Sequence, residues 1–314
     1  MRSKLSRALG VLLLVHVIAI ASMATYYATL EDMVAAADKL LELGTIEQFA
    51  SRWQRFSIAA DAEGAALEYG AYGEFPVRSM AEILQHELVR AAATQSEAAT
   101  FVDFGSGAGR LVLAVAAMHE WGSVLGIEAM EQLHNIADMA TRVAEQHGAL
   151  REGVARSLHS GDALPHEAPV AEAMGLADIT FLYSTAFPSE DGLRLPQLSA
   201  SLACALREGS LVITADKWLV GERFLFEDLL TVRGENDEPI HAHIWRVVGK
   251  PSGRGQRCFD AAVSDIEERW SGEDACADNE AACHALLHAL GEAPEGGPSL
   301  GDEVEALYTG QPEL

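Results

Sequence analysis

Basic residues are scarce in this chain. It carries 22 lysines and arginines against 47 aspartates and glutamates, a formal net charge of −25 over 314 residues. Three of those cations, Arg2, Lys4 and Arg7, stand at the extreme N-terminus, so the rest is more acidic still. Such a surface repels a phosphate backbone and lacks the basic footprint of nucleic-acid binding. That argues against an RNA or DNA partner and leaves a basic protein or a small molecule. Cysteine is rare too: Cys204, Cys258, Cys276 and Cys283 form no C-x-x-C pair. Cys204 lies in an apolar helical stretch and reads as a buried thiol. Cys276 and Cys283 flank an acidic helical segment and would pair only in an oxidising compartment. Cys283-His284 with His288 lacks a fourth ligand at a fixed spacing, so no metal site is assigned. No internal repeat is visible. The length suffices for one globular domain of about 200–250 residues plus extensions.

Charge is also missing from Gly10 to Leu30, a run of 21 residues behind the basic start. At about 1.5 Å per residue it just spans a bilayer as a helix. Ser22-Met-Ala24 offers small residues for cleavage, and Tyr26-Tyr27 suits an interface. A cleaved signal peptide and a retained anchor both fit. Without interspersed arginines an organelle presequence fits less well. Residues 1–30 therefore predict a membrane or the secretory pathway rather than the nucleus.

What is present is organised around Phe101-Val-Asp-Phe-Gly-Ser-Gly-Ala-Gly-Arg110. An apolar strand closes on Asp103, the chain turns through Gly105, Gly107 and Gly109, and a helix opens at Arg110 with Leu111, Val112, Val115 and Ala116 at helical spacing. A second strand, Ser123-Val-Leu-Gly-Ile-Glu128, ends on an acid 19 residues past Gly109. Glycines let backbone N–H groups approach a ligand, and the positive end of a helix favours anionic groups. An acid at the tip of the second strand accepts hydrogen bonds from ribose hydroxyls. The pattern predicts a nucleoside cofactor in the crevice of a parallel α/β sheet. A dehydrogenase is disfavoured by the glycine spacing and by Asp103; glycines serving packing alone is the bland alternative.

Asp103-x-Gly105-x-Gly107-x-Gly109 resembles the first motif of the class I S-adenosylmethionine-dependent methyltransferases. With Tyr72-Gly73-Glu74-Phe75 before Met80-Ala-Glu-Ile-Leu84, and Gly126-Ile-Glu128-Ala-Met130 after, it is similar to the Dot1-type, non-SET histone lysine methyltransferase family. Ser160-Gly-Asp162, Ala177 to Phe187 and Leu206 to Thr214 agree, so the likeness covers about residues 67–218. The resemblance implies S-adenosyl-L-methionine as cofactor. Tyr72 and Glu74 would contact its methionine end. Asp103, Gly105, Ser106, Gly107, Gly109 and Arg110 would form the cofactor turn, Glu128 would take the ribose, and Asp162 with Ala163 and Leu164 the adenine. Tyr183 to Phe187 would line the methyl-transfer channel, with Ser184, Tyr72 and Phe187 as the transfer-site wall. Where the family has two asparagines, this chain has Tyr183 and Ser184.

The expected fold is a Rossmann-like, seven-stranded, mostly parallel α/β sheet with helices on both faces, preceded by a helical segment. The expected division is 1–30 targeting segment, 31–92 helical lid and flap loop, 93–250 methyltransferase domain and 251–314 acidic, partly disordered extension. Within it, residues 31–66 read as helix, Leu193 to Leu206 as an apolar helix, Phe224 to Leu230 as a short amphipathic piece, Ile240 to Val248 as a last antiparallel edge strand, and 265–290 as one helix. The expected activity is methyl transfer to a protein lysine. A small-molecule or lipid head-group acceptor, and a cofactor-binding module without catalysis, are the alternatives.

Overall fold

The computed structural model describes residues 29–270, apart from 44–45, 53, 56, 59–72, 97, 162, 188 and 190–191. Elements follow in the order α1 (Leu30–Leu41), α2 (Val77–Gln85), α3 (Glu87–Thr94), β1 (Thr100–Phe104), α4 (Arg110–Met118), β2 (Ser123–Glu128), α5 (Glu131–Gln146), β3 (Ala155–His159) and α6 (Val170–Met174). Then come β4 (Ile179–Leu182), α7 (Pro196–Ala205), β5 (Leu211–Ala215), β6 (Phe224–Arg233), β7 (Pro239–Val247) and α8 (Gly255–Trp270). The apolar N-terminal run and the Cys276–Cys283 pairing lie outside the described residues, save for Thr29 and Leu30. Among the described residues no helix is long and apolar enough to cross a membrane.

The seven strands form one sheet in the order β3-β2-β1-β4-β5-β7-β6. The first five are parallel, whereas β7 runs antiparallel to both β5 and β6. Alternating side chains feed two cores. Phe101, Ile179, Phe181, Leu211 and Ile213 face α1 to α5, while Val102, Leu182 and Val212 face α6 and α7. Burial on both faces explains why these strands read as apolar runs and not as alternating ones. The strand order reverses between β1 and β4, which opens a crevice at their C-terminal ends.

Helix α1 starts at a capping box: Thr29 Oγ1 accepts from the Asp32 N–H, and Asp32 Oδ2 accepts from the Thr29 N–H, both at 3.1 Å. Its apolar stripe, Met33, Ala37 and Leu40, is buried in the same core as α4. The helix read over 31–66 ends at Leu41, a turn follows over 46–49, and residues 52, 54–55 and 57–58 are helical again.

Four expectations for the C-terminal half are corrected. Phe224 to Leu230 belongs to β6, a ten-residue strand at the sheet edge. A bulge between Phe226 and Asp228 breaks its alternation, so its pattern imitates an amphipathic piece. The strand over Ile240 to Val248 is β7, which lies inside the sheet between β5 and β6, with Ile240 to Trp245 all buried. Cys204 is no free thiol. It forms a disulfide with Cys258, because α7 and α8 bring their Cα atoms to 5.9 Å across 54 residues of sequence. The helix expected over 265–290 starts ten residues earlier, as α8, and its described part ends at Trp270.

Candidate functional site

A cavity of about 680 Å³ opens at the C-terminal ends of β1, β2 and β4. Its floor is the glycine turn. The N–H groups of Gly105 and Ser106 both donate to the Ile127 carbonyl, at 2.9 and 3.0 Å, which hangs the turn on the end of β2. Gly109 caps α4 in the left-handed region (φ 77°), and a Cβ there would stand 2.8 Å from that of Ala137 on α5. Only glycine lets the helix start that close.

Glu128 is buried at the tip of β2. One of its oxygens accepts from the Gly107 N–H at 2.7 Å and the other from the Met130 N–H at 2.8 Å. Burial raises its pKa, and those two N–H donors oppose the rise. Asp103 is buried at 3% exposure and also lines the cavity. Burial, reinforced by the charge of Glu128, pushes its carboxyl up to about 8. Ser106 Oγ lines the same wall, buried and with no hydrogen-bond partner among the described residues. A nucleoside-amino-acid cofactor fits this cradle. It offers a pocket of cofactor size, an acid with lone pairs to spare, a buried hydroxyl awaiting a partner, and a neutral acid that a bound cation would ionise.

The neighbouring wall carries Ser160, Gly161, Ala163, Leu164 and Pro165. Asp162 and Tyr72 lie outside the described residues. The flap that follows Tyr72 is present: Gly73, Glu74 and Phe75 line the cavity. Gly73 sits so close to the β4 tip that a Cβ would stand 2.8 Å from Tyr183 Cε1. Phe75 meets Phe181 and Tyr183 edge-on, with centroids at 4.8 and 5.3 Å. Phe187 stacks on Phe104 at 5.8 Å.

Ser184 departs from its expected role. It is fully buried, does not line the cavity, and donates its hydroxyl to the Ala215 carbonyl of β5. The chain enters a 3-10 turn there, Ser184–Ala186, which turns Ser184 toward β5 and leaves Tyr183 facing the cavity. Tyr183 is half-buried, and its phenol pKa is raised by burial and by the nearby carboxylates of Asp216 and Glu238.

Two residues that hold the site went unread in the sequence. Lys217 Nζ donates to the carbonyls of Thr185 (3.0 Å) and Phe187 (2.5 Å), clamping the loop after β4. Its place just after β5 is visible in the sequence; its reach is not. Arg55, from the helical stretch before the flap, is buried against Glu74, and no pattern marks it. Next to Lys217, Asp216 adopts φ 64° and accepts from the His241 N–H at 2.8 Å, and burial lifts its carboxyl to about 6. On β7, burial depresses fully enclosed His243 to about 3. It is thus neutral and accepts the Trp218 indole N–H at 2.8 Å.

A family model described as "Histone methylation protein DOT1" matches residues 65–223, half of the chain. No curated protein matches. Similar solved structures include the yhhF protein of Escherichia coli, 15% identical, covering 57% of this chain and 89% of that one at a TM-score of 0.37. TrmN from Thermus thermophilus is 14% identical, with 53% and 48% covered and a TM-score of 0.37. A 16S rRNA (adenine(1408)-N(1))-methyltransferase from Catenulisporales acidiphilia is 15% identical, with 53% and 92% covered and a TM-score of 0.34. At these scores the likenesses bear on neither substrate nor residue roles.

Proposed function

The chain belongs to the DOT1 histone-methylation family, and from that premise we propose that it transfers a methyl group from S-adenosyl-L-methionine to a lysine side chain of a protein. The observation that carries the reading is the pairing, in one cavity, of the glycine turn and Glu128 with an aromatic far wall. Glu128 would accept the ribose hydroxyls with the lone pairs left over from Gly107 and Met130. Asp103 would meet the ammonium of the methionine end. Arg110, at the positive end of α4, would meet its carboxylate. Leu164 and Pro165 would cover the adenine.

When bound, the cofactor supplies an electrophilic methyl group on a sulfonium centre. The residues of this chain then have two tasks, alignment and exclusion of water. Phe75, Phe181, Tyr183 and Phe187 form a wall suited to both. An apolar lining also disfavours the charged form of an incoming lysine, so that the amine is presented neutral and nucleophilic. The overall charge of −25 favours a basic protein as the carrier of that lysine.

We place the protein at a membrane or in the secretory pathway. The basic-then-apolar N-terminus supports this, and so does the Cys204–Cys258 disulfide, since such bonds persist in oxidising compartments. The N-terminus also favours a second reading, methyl transfer to a small molecule or lipid head group. Incubation with methyl-labelled cofactor, core histones and an amine-bearing phospholipid in detergent separates the two. Label on histone lysine is the expected result. Label on the lipid alone establishes the second reading, and cofactor binding with no labelled acceptor leaves a non-catalytic binding module.

A further inference from the structure

We infer that Arg55 is a positioning residue for the cofactor site, acting through Glu74. The inference rests on the cofactor reading above, and it extends the site upstream of the segment that the family model matches, residues 65–223.

Arg55 is 1% exposed, in a helical stretch none of whose described residues lines the cavity. An arginine is almost never buried so completely unless its donors are used. Here they are. Nε donates to Glu74 Oε1 at 2.7 Å, and Nη2 approaches the same oxygen. Nη1 donates to Glu47 Oε1 at 2.9 Å and to the Ala50 carbonyl at 2.7 Å. The two carboxylates are not equivalent. Glu47 is 57% exposed and exchanges with water, while Glu74 is 7% exposed and lines the cavity.

The geometry gives Glu74 a task of its own. With Oε1 held by Arg55, Oε2 faces Arg110 Nε at 3.8 Å. Arg52 adds a more distant positive charge on the Arg55 side. Glu74 is thus a buried anion between two guanidinium groups, one sealed behind the flap and one at the mouth of α4. Removing Arg55 takes the sealed guanidinium from a carboxylate that is 7% exposed, and buried carboxylates that lose a charge partner tend to move toward water. Movement of Glu74 carries Gly73 and Phe75 with it, because they are its chain neighbours. It also frees Arg110, which lines the cavity. Arg55 therefore fixes the flap and the orientation of Arg110 without touching the ligand. A lysine would not replace it, since only the planar fork meets Glu74 and Ala50 at once.

A double-mutant cycle on the full-length chain tests this, read as the S-adenosyl-L-methionine Kd by calorimetry beside a thermal melt. Arg55→Met and Glu74→Gln should each weaken binding about 30-fold, and the double variant should be no weaker than either single. Glu47→Gln, which removes the exposed partner of the same guanidinium, should stay within about threefold. Losses that multiply in the double variant, or an equal loss from Glu47→Gln, would mean that Arg55 supports the fold and not the site. Should Arg55→Met fail to fold, Arg55→Lys replaces it. Its smaller loss should vanish in the Glu74→Gln background, and persistence of that loss would overturn the inference. Absence of binding by the unaltered chain would refute the cofactor reading itself, a separate outcome from binding that Arg55 does not affect.

Discussion

At the ends of β1 and β2, neighbours in sequence build the site; at the end of β4, strangers do. The cofactor end comes from one strand–turn–helix–strand unit, Phe101 to Met130, and its polar groups are tied together inside that unit. Gly107 and Met130 hold Glu128, and Ile127 holds Gly105 and Ser106. The far end is assembled from the flap at Gly73 to Phe75, the loop after β4 and Lys217 after β5. The first end is held by short-range backbone bonds and is preorganised for one ligand shape. The second depends on ring contacts and on a lysine reaching across the loop. It follows that the two ends should fail differently when altered.

The largest effect is expected where backbone and acid meet. Glu128→Ala should weaken S-adenosyl-L-methionine binding by about 100-fold or more, because it removes the ribose acceptor and strands two buried N–H groups. Calorimetry on protein shown folded by circular dichroism checks it. At the far end, Tyr183→Ala should lower turnover about 30-fold while the cofactor Kd moves less than about threefold. Tyr183→Phe should recover most of the turnover if the ring, and not the phenol, aligns the acceptor. If both Tyr183 variants lose cofactor affinity, the two ends are not separable.

A pH experiment sharpens the contrast. Asp103 is raised to about 8, so the ligand-free acid is protonated at neutral pH, and binding a cation must release that proton. Affinity should therefore climb with pH, by at most about tenfold per unit below pH 8, and level off above. The ligand-free protein should show the opposite trend. A raised acid lends stability at low pH that is lost as pH rises from the unfolded value of 3.8 toward about 8. Asp103→Asn should flatten both profiles.

The smallest effect is expected at Ser184. Its hydroxyl serves the Ala215 carbonyl, so Ser184→Ala should cost about 1 kcal/mol of stability and leave turnover within about threefold. A large loss of turnover with an unchanged melt would return Ser184 to the transfer site.

These differences track what was legible in the chain. The glycine turn, Glu128 and the parallel strands could be read because each is a local pattern of fixed spacing, and the sheet order follows from the packing of such units. Arg55 and Lys217 could not, because a long cationic side chain gives no sign of which carboxylate or carbonyl it reaches. The place of Ser184 off the cavity lining could not be read because a 3-10 turn after β4 shifts which side chain faces the cavity, and no residue type announces that turn. Cys204 and Cys258 stayed unpaired on paper for a similar reason: only the docking of α8 on α7 brings them together. The bulge at Phe226/Asp228 hid a whole strand by breaking the period on which strands are recognised.

The most direct test of the cofactor cavity is calorimetry of the unaltered full-length protein with S-adenosyl-L-methionine, with NAD titrated in parallel. Saturable binding of S-adenosyl-L-methionine at one site in the micromolar range, and none of NAD, is the predicted result. A folded protein that binds neither would contradict the account, and one that binds only NAD would return the glycine turn to a dinucleotide.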